Sequence, residues 1–158
     1  MRIDEVVERQ AGIEKALDRL EAGGRRVLYA SGEESPDQLR LRAARLEEDA
    51  GPVHVLGETR LEAVLEAAAA LPAEFLVLDS IQTVYTDSLE SAPGSVGQVR
   101  ESAALLMRFA KETGVAVMVV GHVTKGGMLA GPKTLEHIVD TVLYFEGEPS
   151  LNYRLLRA

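Results

Sequence analysis

Cysteine is absent from the 158 residues. Disulfides, thiolate zinc sites and thiol catalysis are therefore excluded within them, and the composition suits a reducing compartment. Tryptophan is absent too, and three Phe and four Tyr are all the aromatics. That is too few for a platform on which successive nucleobases stack. No apolar run approaches the roughly 18 residues of a membrane span. The opening Met1-Arg2-Ile3-Asp4-Glu5 lacks the apolar core of a secretion signal. A cytoplasmic protein with no membrane segment is the expectation. Positive charge is also scarce: 17 Lys and Arg face 25 Asp and Glu, for a net charge of −8. A free-standing nucleic-acid binder is usually basic. Any such contact must come from a local cluster or from a surface shared by several subunits.

What remains is ordinary for a globular chain, with 46% hydrophobic and 27% charged residues, and the length suits one domain over 1–158. Ile3, Val6, Val7, Ile13, Leu17 and Leu20 recur mostly every three or four positions, which predicts an amphipathic helix over 3–22, ended by Gly23-Gly24. Val27–Ala30 reads as a short buried strand. Ser35-Pro36-Asp37-Gln38 predicts a capped helix start, with Pro36 at the first helical position and Gln38 closing a capping box. Val53–Leu56 reads as the next strand. Thr59-Arg60-Leu61-Glu62 predicts a second capping box, opening a helix with Leu61, Val64, Leu65 and Ala68 on one face and Pro72 at its end.

Phe75-Leu76-Val77-Leu78 before Asp79 is apolar without alternation, as in a strand covered on both faces of a parallel sheet. Residues 84–97 read as a loop, and 98–112 as a helix with Val99, Ala103, Leu106 and Ala110 inward. Val115–Val120 is a second buried apolar strand, followed by a glycine-rich loop over 121–133. Strands at Thr141–Phe145 and Tyr153–Leu156 flank a connection short enough for a hairpin. Strand–helix alternation predicts an α/β fold with a mainly parallel sheet. In such folds functional groups gather beyond the carboxyl ends of the strands, and Glu33, Glu34, Asp79, Ser80 and His122 all fall there.

Four stretches carry chemistry, each with a plainer reading beside it. Asp79, ending an apolar strand before Ser80, fits a Walker B carboxylate that holds Mg²⁺; the plain reading is an Asp satisfying nearby backbone N–H groups. Glu33 or Glu34 could serve as general base toward a water attacking a phosphate; the plain reading is acids beside the N-terminus of a helix. His122 could sense a terminal phosphate, or be a satisfied polar group at a strand end. Lys125, Gly126, Gly127, Gly131 and Lys133 could track a phosphate backbone, or form a solvated loop.

Five segments in order turn these separate signals into one. They are Val27–Ser35 (VLYASGEES), Leu78–Tyr85 (LDSIQTVY), Ser91–Glu101 (SAPGSVGQVRE), Gly121–Lys125 (GHVTK) and Leu135–Gly147 (LEHIVDTVLYFEG). Over about 26–158 the chain resembles the RadA/Sms family of bacterial RecA-like DNA-repair ATPases. The resemblance implies a RecA-like fold, a homo-oligomeric ring with ATP between subunits, and DNA-stimulated ATP hydrolysis in processing recombination intermediates. It implies Glu33 as general base with Glu34 beside it. Asp79 and Ser80 would hold ATP and Mg²⁺, with Asp79 the Mg²⁺ ligand, and His122 would be the switch. Single-stranded DNA would be met by Lys125, Lys133 and Arg100, through loops at 91–98 and 123–133. The four-cysteine zinc module, the Lys-Asn-Arg-Phe-Gly motif and the protease-like domain of that family have no counterpart in this sequence, so the expectation is the core alone.

The first 24 residues depart from the family. Its G-x-x-x-x-G-K-[ST] loop needs glycines for a backbone nest, a Lys for charge and a hydroxyl for Mg²⁺. The nearest stretch is Arg9-Gln10-Ala11-Gly12-Ile13-Glu14-Lys15-Ala16. Arg9 and Glu14 stand where glycines belong, and Ala16 where the hydroxyl belongs. A helix over 3–22 in place of the phosphate-loop strand is the expectation, and with it deficient ATP hydrolysis. The alternative is a non-enzymatic RecA-like scaffold for assembly or DNA contact. With 3–22 helical, the strands at Phe75–Asp79 and Val115–Val120 are expected to pair directly, or another segment to fill the gap between them.

Overall fold

The computed structural model describes residues 25–43, 53–122, 135–147 and 154–158. The helix expected at 3–22 and the lysines at 125 and 133 lie outside the described residues. Four strands form one parallel sheet: β1 (Val27–Ser31), β2 (His54–Gly57), β3 (Phe75–Asp79) and β4 (Ala116–Val120). Their order is β2-β1-β3-β4. The helices are α1 (Pro36–Ala43), α2 (Leu61–Ala70) and α3 (Val96–Thr113). A separate antiparallel pair, β5 (Tyr144–Gly147) with β6 (Arg154–Arg157), supplies the expected C-terminal hairpin strands. β5 starts three residues later than its apolar run suggested.

The sheet is parallel because apolar strands without alternation can be stabilised only when both faces are covered. Leu28, Ala30, Leu76 and Leu78 face the larger core, with Leu61, Val64 and Ala68 of α2 and Val99, Ala103 and Leu106 of α3. Val27, Tyr29 and Val77 face the opposite core, with Leu39 of α1. Leu76, Val77 and Leu78 are wholly buried, each contributing about 1.5–3 kcal/mol of hydrophobic free energy.

β3 pairs directly with β4, from Phe75–Ala116 to Asp79–Val120, as expected if no strand separates them. β4 is less buried than its sequence suggested: Ala116 is exposed and Val117–Val120 are half-buried. Among the described residues it pairs on one side only, so half its flanks lack a neighbouring strand.

The helix starts divide instructively. At α1 the Ser35 hydroxyl accepts from the Gln38 N–H, while the Gln38 side chain accepts from the Ser35 N–H; this is the reciprocal box read from the sequence. At α2 the second box does not form. Arg60 is the N-cap, with no side-chain cap, and Glu58 accepts the N–H groups of Thr59 and Arg60. Glu62 is drawn away by the Thr86 hydroxyl and the Asp87 N–H. α3 begins two residues earlier than periodicity suggested, because Ser95 caps it by accepting from the Gln98 N–H. Gly114, at φ 76°, closes it in the left-handed conformation that glycine adopts without strain.

Candidate functional site

The register of the sheet builds the site. Ser31 lies opposite Asp79, and Asp79 opposite Val120, so three strands end in one row. The loops beyond them carry Glu33, Ser80 and His122. Each is then anchored by backbone contacts: the Gly32 N–H donates to the Asp79 carbonyl, and the Ile81 N–H to the Val120 carbonyl. The Ser31 hydroxyl accepts the N–H groups of Glu33 and Glu34, folding the loop back so that Glu33 leans across the strand ends.

Gly32 is there because nothing larger fits. A Cβ at this position would stand 2.2 Å from the Thr83 Oγ1 and 2.8 Å from its Cβ. Thr83 has little freedom to retreat, since its hydroxyl donates to the Ser80 carbonyl and accepts from the Ser80 N–H. The close approach of these two loops brings Glu33 within reach of Ser80.

Glu33 is the hub. Its Oε1 accepts from the Ser80 hydroxyl at 2.7 Å and lies 2.9 Å from the His122 Nε2, 89 positions along the chain. Both side chains are about one-third exposed, at 31% and 30%. The His122 hydrogen bond, aided by Ser80 and by the charge His122 can carry, holds the Glu33 carboxyl below the usual glutamate range against the opposing effect of burial. A carboxylate so held stays ionised and able to accept a proton or coordinate a cation.

Asp79 sits deeper, 2% exposed. The Tyr29 hydroxyl donates to its Oδ2 at 2.5 Å. Ligand atoms of Glu33, Asp79 and His122 all lie within 4.8 Å of one another. Gln82 fixes the His122 backbone from both sides, donating to its carbonyl and accepting from its N–H. Glu34 and Glu33 together line a cleft of about 360 Å³ with Ser35, Pro36 and Gly57–Thr59. Arg100 is exposed on the first turns of α3.

The structure thus gathers four of the five residues singled out at the strand ends: Glu33, Asp79, Ser80 and His122. Tyr29, Gln82 and Thr83 were not singled out. A tyrosine inside a buried apolar strand was the signal for the first, because its hydroxyl needs a partner there. Gln82 and Thr83 fall inside the segment Leu78–Tyr85 that carries the resemblance, but nothing in it marked either as a holder of the site. The donor chemistry fits Mg²⁺, with a buried carboxylate, a hydroxyl and a second carboxylate at one sheet edge.

The chain is similar to known proteins in sequence and in fold. The AAA domain family matches residues 10–128. The DNA repair protein RadA of Halalkalibacterium halodurans is 56% identical over 133 residues, covering 84% of this chain and 29% of that protein. RadA of Bacillus subtilis is 53% identical over 140 residues, covering 89% of this chain and 31% of its own length. The chain therefore spans about a third of the relatives it matches. Among solved structures, the KaiC-like protein PH0186 of Pyrococcus horikoshii superposes with a TM-score of 0.60 at 18% identity. That superposition covers 89% of this chain and 68% of the other, and it places the sheet and helices in the RecA-like α/β fold.

Proposed function

This chain belongs to the AAA domain family, and from that premise we propose that it is the core of a RadA-type protein of DNA repair and recombination, deficient in ATP hydrolysis by itself. The observation carrying the proposal is the convergence of Glu33, Ser80, Asp79 and His122 at the carboxyl edge of the parallel sheet. That is where an α/β sheet receives its ligand, and the named relatives are DNA repair proteins.

In this reading Asp79 and Ser80 would hold Mg²⁺ with ATP, and the ion would neutralise phosphate charge. Glu33 would accept a proton from water, and its contact with His122 would change when a terminal phosphate competes for the imidazole. The Gln82 clamp keeps the His122 backbone fixed, so only the side chain need move. Single-stranded DNA would be contacted by Lys125, Lys133 and Arg100, within a ring of several copies.

Phosphoryl transfer is mostly positioning and charge stabilisation. Residues 9–16 offer neither the glycine nest nor the Mg²⁺-binding hydroxyl. Each preorganised donor can be worth roughly 10²–10³ in rate. The test is a titration of the chain with labelled ATP and Mg²⁺, scored separately for binding and for turnover. The expected result is turnover several powers of ten below that of full-length relatives, restored when residues 3–23 are replaced by a strand and a G-x-x-x-x-G-K-[ST] loop. Steady turnover abolished by Lys15→Ala would overturn the deficiency. A non-enzymatic scaffold is the second reading. It is favoured by the engagement of Glu33 with both His122 and Ser80, and absent ATP binding in the same titration would select it.

A further inference from the structure

We propose that Glu33, Asp79 and His122 together form a binding site for a borderline d-block divalent cation, of which Zn²⁺ is the probe, taken up by the chain in the absence of nucleotide. Three observations combine to carry it. The donor set is one imidazole nitrogen and two carboxylates, each offering one ligand atom, all within 4.8 Å of one another. An imidazole in the set selects against Mg²⁺, which takes oxygen ligands, and in favour of zinc-class ions, which accept both. Nucleotide-linked Mg²⁺ would use the oxygen donors alone, so the two kinds of occupancy are chemically distinct.

Spacing is the second observation. Zinc bonds of about 2.0–2.2 Å set neighbouring ligand atoms roughly 3–3.6 Å apart. His122 Nε2 and Glu33 Oε1, at 2.9 Å, are almost at that separation. The Asp79 ligand atom, within 4.8 Å of both, would have to move toward them on binding. The hydrogen bond between His122 and Glu33 would be given up when a cation binds.

Orientation is the third. Metal-binding carboxylates and histidines are usually held by outer hydrogen bonds that fix their direction. Here the Ser80 hydroxyl donates to Glu33, the Tyr29 hydroxyl donates to Asp79, and Gln82 holds the His122 backbone by two bonds. All three ligands extend from strand ends or the loops tied to them, the rigid placement that a metal site requires. The partial exposure of His122 and Glu33 gives an ion its path in.

The experiment uses the whole chain, stripped with chelator and free of nucleotide, in competition with a chromophoric zinc indicator and with thermal unfolding as a second readout. One Zn²⁺ per chain should bind, raise the unfolding temperature and resist displacement by millimolar Mg²⁺. His122→Asn keeps a polar side chain but removes the imidazole; it should weaken Zn²⁺ by at least the roughly 10–100-fold typical of losing a mere outer partner. Glu33→Gln should do likewise. His54→Asn and His137→Asn, which alter exposed histidines outside the trio, should leave affinity unchanged. Loss of stoichiometric Zn²⁺ binding in the unaltered chain would overturn the proposal. So would undiminished binding in both His122→Asn and Glu33→Gln with their circular dichroism intact; if one variant does not fold, the other decides. No nucleotide is present, so these outcomes are independent of whether the chain binds ATP.

Discussion

At the scale of single residues the site depends on two that do no chemistry in it. Tyr29 is buried in β1 with its hydroxyl against Asp79, and hydrogen bonds to ionised groups contribute about 1.5–3 kcal/mol. Tyr29→Phe should lower the unfolding free energy by roughly that amount, read as a shifted urea midpoint with an unchanged slope; an unshifted midpoint would mean the bond adds nothing net. Gly32 acts through the side chain it lacks. Gly32→Ala would press a methyl against Thr83, and overpacking of this kind costs about 1–3 kcal/mol. The clash is with the Thr83 hydroxyl and Cβ, so Thr83→Gly, which removes both, should recover part of the cost, whereas a simple loss of glycine flexibility would be indifferent to position 83. Of all this the sequence displayed only part. A tyrosine among Val, Leu and Ala announced a buried hydroxyl in search of a partner. The partner itself, 50 positions away, became visible only once β1 and β3 were laid in register.

At the scale of elements, local rules succeeded where residues had no stronger offers. Ser35 and Gln38 have no competing side-chain partners among the described residues, and their box forms as read. Glu62 had a stronger offer from Thr86 and Asp87, so Glu58 took its place at the start of α2. That substitution has a pH signature. The N–H groups of Arg60 and Thr59 hold the Glu58 carboxyl below the ordinary value of 4.5. A lowered folded-state value means the stabilisation is fully present above about pH 4.5 and is lost as pH falls through the lowered value. Glu58→Gln should therefore cost a few tenths of a kcal/mol at pH 7, small because the group is solvent-screened. The gap from the unaltered chain should close on acidification, as followed by thermal unfolding at several pH values. The loop before α3 shows a second long-range commitment. Gln98, wholly buried, donates to the carbonyls of Thr86, Leu89 and Ser91 and accepts from the Thr86 N–H. Sequence marked 84–97 as a loop from its Ser, Pro and Gly, yet could not say that one glutamine pins it. Gln98→Ala should orphan several of these groups, at about 1–3 kcal/mol each, and speed amide exchange at Thr86 before that of the sheet.

At the scale of the molecule, the parallel sheet was legible because its strands are apolar at consecutive positions, a pattern that only two-sided cover stabilises. The meeting of Glu33 with His122 was not, since no local pattern encodes a contact across 89 positions; it follows from strand order, which brings β1, β3 and β4 side by side. Charge is legible at this scale from composition alone. With a net charge of −8, the long-range field of the chain repels a polyanion, and the proposed DNA contact must work against it through few cations. Lys125 and Lys133 are two such charges in a glycine-rich stretch. Each phosphate neutralised on single-stranded DNA releases about 0.7 of a counterion, so two contacts give a salt slope of roughly −1.4 in log affinity against log salt. Fluorescence anisotropy with a labelled oligonucleotide should find weak binding with about that slope. The double substitution Lys125→Ala and Lys133→Ala should flatten the slope toward zero and remove most of the affinity at low salt. A much steeper slope in the unaltered chain would mean that cations from several copies converge on one strand, and the steepness should then grow with protein concentration as the copies assemble. Tight binding that survives the double substitution would shift the contact onto the third proposed cation, Arg100, exposed on α3, or onto another surface if Arg100→Ala leaves it unchanged as well.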